Sequence, residues 1–370
     1  YFYFKRAVKS FFLFLKNLNS KIKEYIMILG DDYMIKVAIN GFGRIGRLVY
    51  RIMDQDPEME VVAINDLTDA EQLAYLLKYD TNHRTYKLGD ISFDGNDLVD
   101  GGRHVKVYSE TDPSALPWGD LGVDIVMECT GKFTDKDKAM AHINAGAKAV
   151  VISAPAKGDV KTIVYNVNHD QLDGSEQVIS AASCTTNCLA PVLRVLDYYF
   201  KVKRGYMTTV HAYTNDQATL DVPHKKGIKA RRGRAACANI VPSSTGAATA
   251  IGKVLPQLDG KMKGSAMRVP VSDGSVVDLT LELEKKTTAE EINEAFKVNT
   301  DETLVFTMDP IVSSDVIGST CGATVDGLLT EVLDTDGEQL VKVVAWYDNE
   351  MGYSNQMVRT AKYLAKKKGA

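Results

Sequence analysis

A glycine-rich turn between an apolar run and a helical pattern constrains this chain more than any other feature. The run Ile35–Ile39 leads into GFGRIG at residues 41–46, and Arg44–Asp54 then has apolar residues at helical spacing. A second apolar run, Val61–Asn65, and a helical pattern over Asp69–Lys78 repeat the alternation. Alternating strands and helices predict a Rossmann-type, doubly wound parallel sheet of the α/β class.

The same turn predicts a dinucleotide site, because GxGxxG here follows a strand and opens a helix. Gly41 permits the tight turn, Gly43 lets backbone amides approach a pyrophosphate, and Gly46 allows close helix–strand packing. Asp66 lies 20 residues after Gly46, at the end of the next strand, and can accept from a ribose hydroxyl. Its charge would repel a 2′-phosphate, which favours NAD over NADP. The alternative is a turn whose glycines serve geometry alone.

The second half of the chain has a different pattern. Apolar and polar residues alternate over 277–284, which is the period of a strand with one buried face. Two further strands are predicted around Leu328–Leu333 and Leu340–Tyr347, on either side of an Asp-Gly turn at 336–337. We therefore expect an α+β domain with a mostly antiparallel sheet.

Two helices are predicted near the end of the chain. Thr288 and Glu291 have the spacing of a capping box for a helix through Val298. Ser354–Lys368 is helical in pattern and Lys-rich in its last turns, as the helix dipole favours.

Cys184 is the candidate nucleophile among five cysteines. It lies in ASCTTNC, between a predicted strand at Val178–Ala181 and a helical run. A helix start would stabilise a thiolate and lower the pKa of the thiol. The other four cysteines are interpreted as buried apolar side chains, and their spacing predicts neither a disulfide framework nor a metal site.

A thiol nucleophile needs a general base, and histidine is the commonest one. His211 ends a strand-like run at Tyr206–Val210. Position alone does not select it among the six histidines of the chain.

Composition and charge limit the classes of partner that we expect for this chain. Residues 1–33 hold six basic and three acidic residues, so the other 337 residues carry a net charge of −7. That acidic balance gives no electrostatic reason to expect a nucleic-acid partner. No run of 18 apolar residues is present to span a membrane. The basic, aromatic segment 1–33 is either a targeting or membrane-surface segment, or sequence upstream of a start at Met34 or Met27.

Five motifs resemble the phosphorylating glyceraldehyde-3-phosphate dehydrogenase family, in family order and over nearly all of the chain from Met34. They are NGFGRIGR (40–47), ASCTTNCLAP (182–191), STGAA (244–248), MRVP (267–270) and WYDNEMGYS (346–354). The resemblance implies that Cys184 attacks the aldehyde of glyceraldehyde-3-phosphate with His211 as base. A thioester forms as NAD is reduced, and inorganic phosphate then releases 1,3-bisphosphoglycerate.

The resemblance also assigns binding residues. Thr214 and Arg268 would bind the substrate phosphate, and a guanidinium offers a bidentate fork for it. The site for the attacking phosphate would use Ser183, Thr185, Thr245 and Gly246. The cofactor would contact Arg44, Ile45, Asp66, Lys106, Ser153 and Asn349. Lys106 lies in a loop without a sharp motif, whereas Asn349 would hold the nicotinamide carboxamide.

The resemblance further implies a homotetramer in the cytoplasm. The expected domains are a non-family extension at 1–33, an NAD-binding domain at 34–182 joined by a C-terminal helix at 350–370, and a catalytic domain at 183–349. One stretch departs from many family members, because HKKGIKARRGR at 224–234 is basic and longer than common forms. The alternatives are erythrose-4-phosphate dehydrogenase, or a non-catalytic surface or nucleic-acid binding protein on the same fold.

Overall fold

The computed structural model describes residues 34–224 and 227–369, so the predictions for residues 1–33 lie outside the described residues. The helices are α1 Arg44–Met53, α2 Ala70–Lys78, α3 Lys136–Asn144, α4 Cys184–Phe200, α5 Ala247–Val254, α6 Ala289–Val298 and α7 Met351–Lys367. The strands are β1 Ile35–Asn40, β2 Met59–Asn65, β3 Tyr79–Asp80, β4 Arg84–Thr85, β5 Ile91–Asp94, β6 Asp97–Asp100, β7 Arg103–Tyr108, β8 Ile125–Glu128, β9 Ala149–Ile152, β10 Lys161–Thr162, β11 Val178–Ser180, β12 Val202–Ala212, β13 Val241–Ser244, β14 Met262–Val269, β15 Ser275–Leu283, β16 Leu304–Thr307, β17 Ala323–Asp326, β18 Glu331–Thr335 and β19 Glu338–Tyr347. None of the helices in these residues is both long and apolar enough to cross a bilayer.

The first sheet has the strand order β10-β11-β9-β8-β1-β2-β7-β6-β5. It is parallel from β10 to β7, after which β6 pairs antiparallel with β7 and the edge strand β5 pairs antiparallel with β6. After β1 the chain forms β2 on one side of β1, and it later forms β8 on the other side of β1. Ligands of such sheets bind outside the carboxyl ends of the strands at this reversal. The glycine turn follows β1 and therefore opens onto that crevice.

The second sheet has the order β13-β14-β12-β15-β19-β17-β16, with β18 paired to β19. Its pairs are antiparallel except for β12 with β14 and β16 with β17, which are parallel. The predicted fold class, a doubly wound parallel sheet plus a mostly antiparallel α+β sheet, is confirmed. In β15 the alternation buries Val277, Leu279 and Leu281, as the sequence pattern predicted.

The last helix, α7, shares a hydrophobic core with the first strand, β1. Tyr353, Met357 and Leu364 of α7 belong to one buried cluster with Ile35 and Ile39 of β1. This cluster lies on one face of the first sheet. A separate buried cluster joins α4, α5 and α6 to the second sheet.

Two predicted boundaries differ from the structure, each because an aspartate caps a turn. The strand predicted from Leu328 begins only at Glu331, since the Asp326 carboxylate accepts from the Leu328 amide and stabilises a short 3₁₀ turn. The last helix begins at Met351, before the predicted Ser354, because Asp348 accepts from the Met351 amide at 2.7 Å. The capping box of Thr288 and Glu291 is confirmed.

Candidate active site

The three glycines of the first turn have three different physical roles. Gly41 has φ of +91°, and a Cβ on it would lie 2.8 Å from Thr130 Cγ2. A Cβ on Gly46 would lie 2.1 Å from the Gly41 carbonyl oxygen, so only glycine lets α1 pack this closely. A Cβ on Gly43 would meet no atom within 4 Å, and this residue lines both cavities of the site. The open backbone at the start of α1 is the arrangement that anions bind.

A cavity of about 300 Å³ lies beside this turn and is lined by Asp66. The Asp66 carboxylate accepts from the Phe42 amide at 2.7 Å and from the Thr68 amide at 3.0 Å, which holds it at the mouth of the turn. Glu110 and Thr111, which the sequence reasoning missed, line the same cavity.

Lys106, predicted to contact the cofactor, is not among the residues lining either cavity. Its ammonium group donates to Asp97 at 2.9 and 3.0 Å. Lys106 lies within β7, whereas Glu110 and Thr111 follow the end of that strand. The end of β7 was the signal that would have found them, because ligands bind beyond strand ends in such sheets.

A larger cavity of about 710 Å³ shares Gly43, Cys129 and Thr130 with the first, so the two cavities adjoin. Its lining brings together both predicted catalytic residues with several residues predicted to bind the cofactor or phosphate: Gly43, Arg44, Ile45, Ser153, Ser183, Cys184, His211, Thr214 and Asn349. The Asn349 side-chain oxygen accepts from the Ser275 hydroxyl at 2.6 Å, which fixes the orientation of its amide. Arg44 forms ion pairs with Asp80 and Glu350 in the wall.

Cys184 is the first residue of α4, and its sulfur lies 3.4 Å from His211 Nε2. Ser183 caps the helix by accepting from the Thr186 amide at 3.2 Å. Ala182 precedes the cap with φ of +60°, an uncommon conformation for a residue with a Cβ. The Tyr353 hydroxyl donates to the Ala182 carbonyl at 3.2 Å and holds this turn. Such backbone strain is typical of functional sites.

The surroundings of Cys184 and His211 correct the prediction made for the pKa of the Cys184 thiol. Burial raises the pKa of the Cys184 thiol, although the Arg268 charge, the Thr185 hydroxyl and the helix-start amides each lower it. The effect of the helix start is therefore present, but the predicted net lowering is wrong because burial is larger. Burial and the Arg268 charge lower the pKa of His211 to about 3. Thiol and imidazole are thus both neutral at pH 7 in this state.

His211 is held through its other ring nitrogen. Nδ1 lies 2.7 Å from both the Ala212 carbonyl oxygen and Arg268 Nη1, and in the tautomer that donates to the carbonyl Nε2 is free to accept the thiol proton. Arg268 donates to the same carbonyl at 2.9 Å, and its buried Nε has no protein partner. That free N–H next to the base suits an anionic ligand.

Most of the residues predicted to bind phosphate do not line the larger cavity. The Thr214 hydroxyl donates to Asp216, which also pairs with Arg232. Arg232 was missed, and its charge contributes to lowering the pKa of His211. Thr185, Thr245, Gly246 and Arg268 are not among the lining residues of the larger cavity. The Thr185 hydroxyl lies 2.9 Å from the Tyr347 hydroxyl, while Thr245 and the N-cap Gly246 immediately precede α5.

Two family models and several characterised proteins match this chain. The model of the NAD binding domain of glyceraldehyde 3-phosphate dehydrogenase matches residues 35–136, and that of its C-terminal domain matches 183–349. The glyceraldehyde-3-phosphate dehydrogenases of Clostridium acetobutylicum and Clostridium pasteurianum are each 58% identical over 333 residues, 90% of this chain and 99% of theirs. That of Streptococcus pyogenes is 52% identical over 334 residues, with the same coverage. The chain belongs to the glyceraldehyde-3-phosphate dehydrogenase family.

Proposed function

We propose that this chain oxidises D-glyceraldehyde-3-phosphate to 1,3-bisphosphoglycerate with NAD and inorganic phosphate, as a glycolytic enzyme. The observation that carries the proposal is the distance of 3.4 Å between Cys184 Sγ and His211 Nε2, two residues that line the larger cavity. A nucleophile beside a base, which is itself oriented by a third group, is the arrangement of covalent catalysis.

The residues present fit NAD. The open backbone at Gly43 suits a pyrophosphate, Asp66 suits a ribose hydroxyl, and Asn349 suits a carboxamide. Ile45, Ser153 and Arg44 complete the wall between them. When bound, NAD supplies the hydride acceptor.

The chain's own groups account for the acyl transfer. The neutral thiol gives its proton to His211 as the sulfur attacks the aldehyde carbon, and His211 returns this proton to the carbonyl oxygen, so that a thiohemiacetal forms on Cys184 and the imidazole is again a free base. Amides at the start of α4 lack partners within the helix and can donate to the developing oxyanion. His211 takes the hydroxyl proton as the carbon is oxidised to the thioester, and phosphate then displaces the sulfur.

The anion-binding roles rest on position and charge. We assign the substrate phosphate to Thr214 and Arg268, because the guanidinium borders His211 and keeps one unpaired N–H. We assign the attacking phosphate to residues around two helix starts, α4 and α5, where dipoles favour anions. These residues are Ser183, Thr185, Thr245 and Gly246.

The larger organisation is proposed with the same chemistry. We place an NAD-binding domain at 34–182 with the C-terminal helix 350–370, and a catalytic domain at 183–349. A homotetramer in the cytoplasm is the assembly that the family resemblance implies. The basic loop 224–234 would then approach a neighbouring subunit, although Lys225 and Lys226 lie outside the described residues.

NADH formation from NAD tests the reaction directly. With glyceraldehyde-3-phosphate, we expect rapid reduction only when inorganic phosphate is present, because the thioester needs that nucleophile. Erythrose-4-phosphate is the comparison substrate. Faster turnover of erythrose-4-phosphate, or reduction that does not depend on phosphate, would contradict the proposal.

A further inference from the structure

Three titratable side chains meet beside the catalytic cavity without being used by the proposed reaction. His83, Asp273 and Asp348 come from the loop before β4, from the β14–β15 connection and from the β19–α7 connection. Their side chains are 2%, 0% and 0% exposed. One nitrogen or oxygen atom of each lies within 4.8 Å of the others. The neighbours of these residues in sequence, Asn82, Ser272 and Asn349, line the cavity.

The polar atoms of this cluster are incompletely satisfied. His83 Nε2 is hydrogen-bonded to Glu350 at 3.1 Å. Asp273 Oδ2 lies 3.2 Å from the same nitrogen but makes no hydrogen bond. His83 Nδ1 lies 4.0 Å from Asp348 Oδ2, beyond hydrogen-bond distance, so Nε2 is the ring nitrogen that faces Asp273 and Glu350. Buried polar atoms without partners are rare, and each calls for a ligand or another physical explanation.

The charges point to a cation. Glu350 and Asp80 share the guanidinium of Arg44. Asp273 and Asp348 face the single imidazole of His83, and their carboxylates are fully buried. Two buried carboxylates beside one imidazole leave excess negative charge in a medium that solvates charge poorly.

We propose that His83, Asp273 and Asp348 bind one divalent metal ion. An imidazole nitrogen with carboxylate oxygens suits Mn²⁺ or Zn²⁺. Adjacent ligands of an octahedral ion at about 2.2 Å from each ligand are separated by about 3 Å, and His83 Nε2 lies 3.2 Å from Asp273 Oδ2. Asp348 Oδ2 accepts from the Gly318 amide at 2.7 Å, which holds it for the ion as ligand supports commonly do.

The ion would join three separate segments of the chain at one wall of the cavity. Asp348 also accepts from the amides of Glu350 and Met351 and so starts α7. Binding at Asp348 therefore stabilises the backbone on both sides of Asn349. We expect the metal to act on stability, because none of its ligands reaches the reacting sulfur.

Titration of the full chain with Mn²⁺ tests the proposal. After treatment with EDTA and its removal, loss of the free-ion EPR signal should report one Mn²⁺ bound per chain. Asp273→Asn keeps the shape of the side chain and should weaken binding at least tenfold. Asp120→Asn removes the same charge from an exposed position and should bind as the unmodified chain does.

Two further measurements keep the test decisive if Asp273→Asn folds poorly. Mn²⁺ should raise the thermal midpoint of the unmodified chain by several degrees, and His83→Gln should abolish that rise. Absence of bound Mn²⁺ at millimolar concentration would overturn the proposal, as would equal affinity in Asp273→Asn. Equal affinity would mean that Mn²⁺ binds at another site of the chain.

Discussion

Two helix starts in this molecule use the same local plan for different purposes. Both α1 and α4 follow a strand of the first sheet, after β1 and β11. At α1 the cap is Gly43, which has no side chain to occupy the amides, so the backbone stays open to a ligand. At α4 the Ser183 side chain takes one amide, and a thiol occupies the first helical position. The cap residue and the first helical residue together thus distinguish a binding site from a reactive one.

The largest effect should come from Cys184→Ser, which keeps the helix start and removes only the thiol. We expect the rate of NAD reduction to fall by at least about 10³-fold, because a neutral hydroxyl is a much weaker nucleophile. The affinity for NAD, measured by fluorescence quenching, should not change. Full activity in this variant would mean that α4 is not the reactive start.

Arg268→Met tests how charge prepares the α4 site. Because the Arg268 charge lowers the pKa of Cys184, its loss should move alkylation by iodoacetamide to higher pH. The oxidation rate should fall by about 10²-fold, as for the loss of one strong anion donor. Arg204→Met changes an exposed arginine paired with Glu282 and is the control. An unshifted alkylation profile in Arg268→Met would contradict this reading.

Gly43→Ala tests the open backbone of α1. Its φ of −72° accommodates alanine, so the thermal midpoint should stay the same. The new methyl group would stand where the cofactor approaches, and KM for NAD should rise by about tenfold. Gly46→Ala is the contrast, because its Cβ meets the Gly41 oxygen at 2.1 Å and should destabilise the fold itself. Equal loss of stability in both variants would show that Gly43 is structural.

The smallest effect is expected from Ser183→Ala, which removes the cap of α4. Urea unfolding should show a loss of about 1 kcal/mol, the usual value of an N-cap. Asp69→Ala removes a similar cap from α2, where Asp69 accepts from the Gln72 amide at 2.8 Å, and should cost about the same. Only Ser183→Ala should also lower the oxidation rate. If the two variants are equally active, the cap of α4 serves stability alone.

Local patterns predicted the parts of the site that depend on local geometry. Gly41 and Gly46 could be assigned because a tight turn and close packing require glycine there, and the structure has both features. The start of α4 at Cys184 followed from the change of pattern after a short strand. His211 could not be chosen from the residues alone, since its distance to Cys184 depends on how the second sheet packs against α4.

Other features depend on contacts between distant segments. The net rise in the pKa of Cys184 comes from burial, which no local pattern reports. Thr111 lines the site from a segment without a motif, the Arg232 charge acts on His211, and Lys106 donates to Asp97 instead of lining the site. The cluster of His83 with Asp273 and Asp348 joins residues 190 and 265 positions apart in the chain. Contacts between residues so far apart in the chain can be recognised only when the fold is known.

The packing of α7 against β1 has a consequence for how the protein is made. The first strand leaves the ribosome early, but side chains that cover its apolar face, Tyr353, Met357 and Leu364, are synthesised only after every strand of both sheets. Until then the nucleotide-binding sheet exposes an uncovered hydrophobic face during translation. Packing of α7 is therefore the step that completes the core on this face of the sheet, and a chain that ends before α7 should be prone to aggregation.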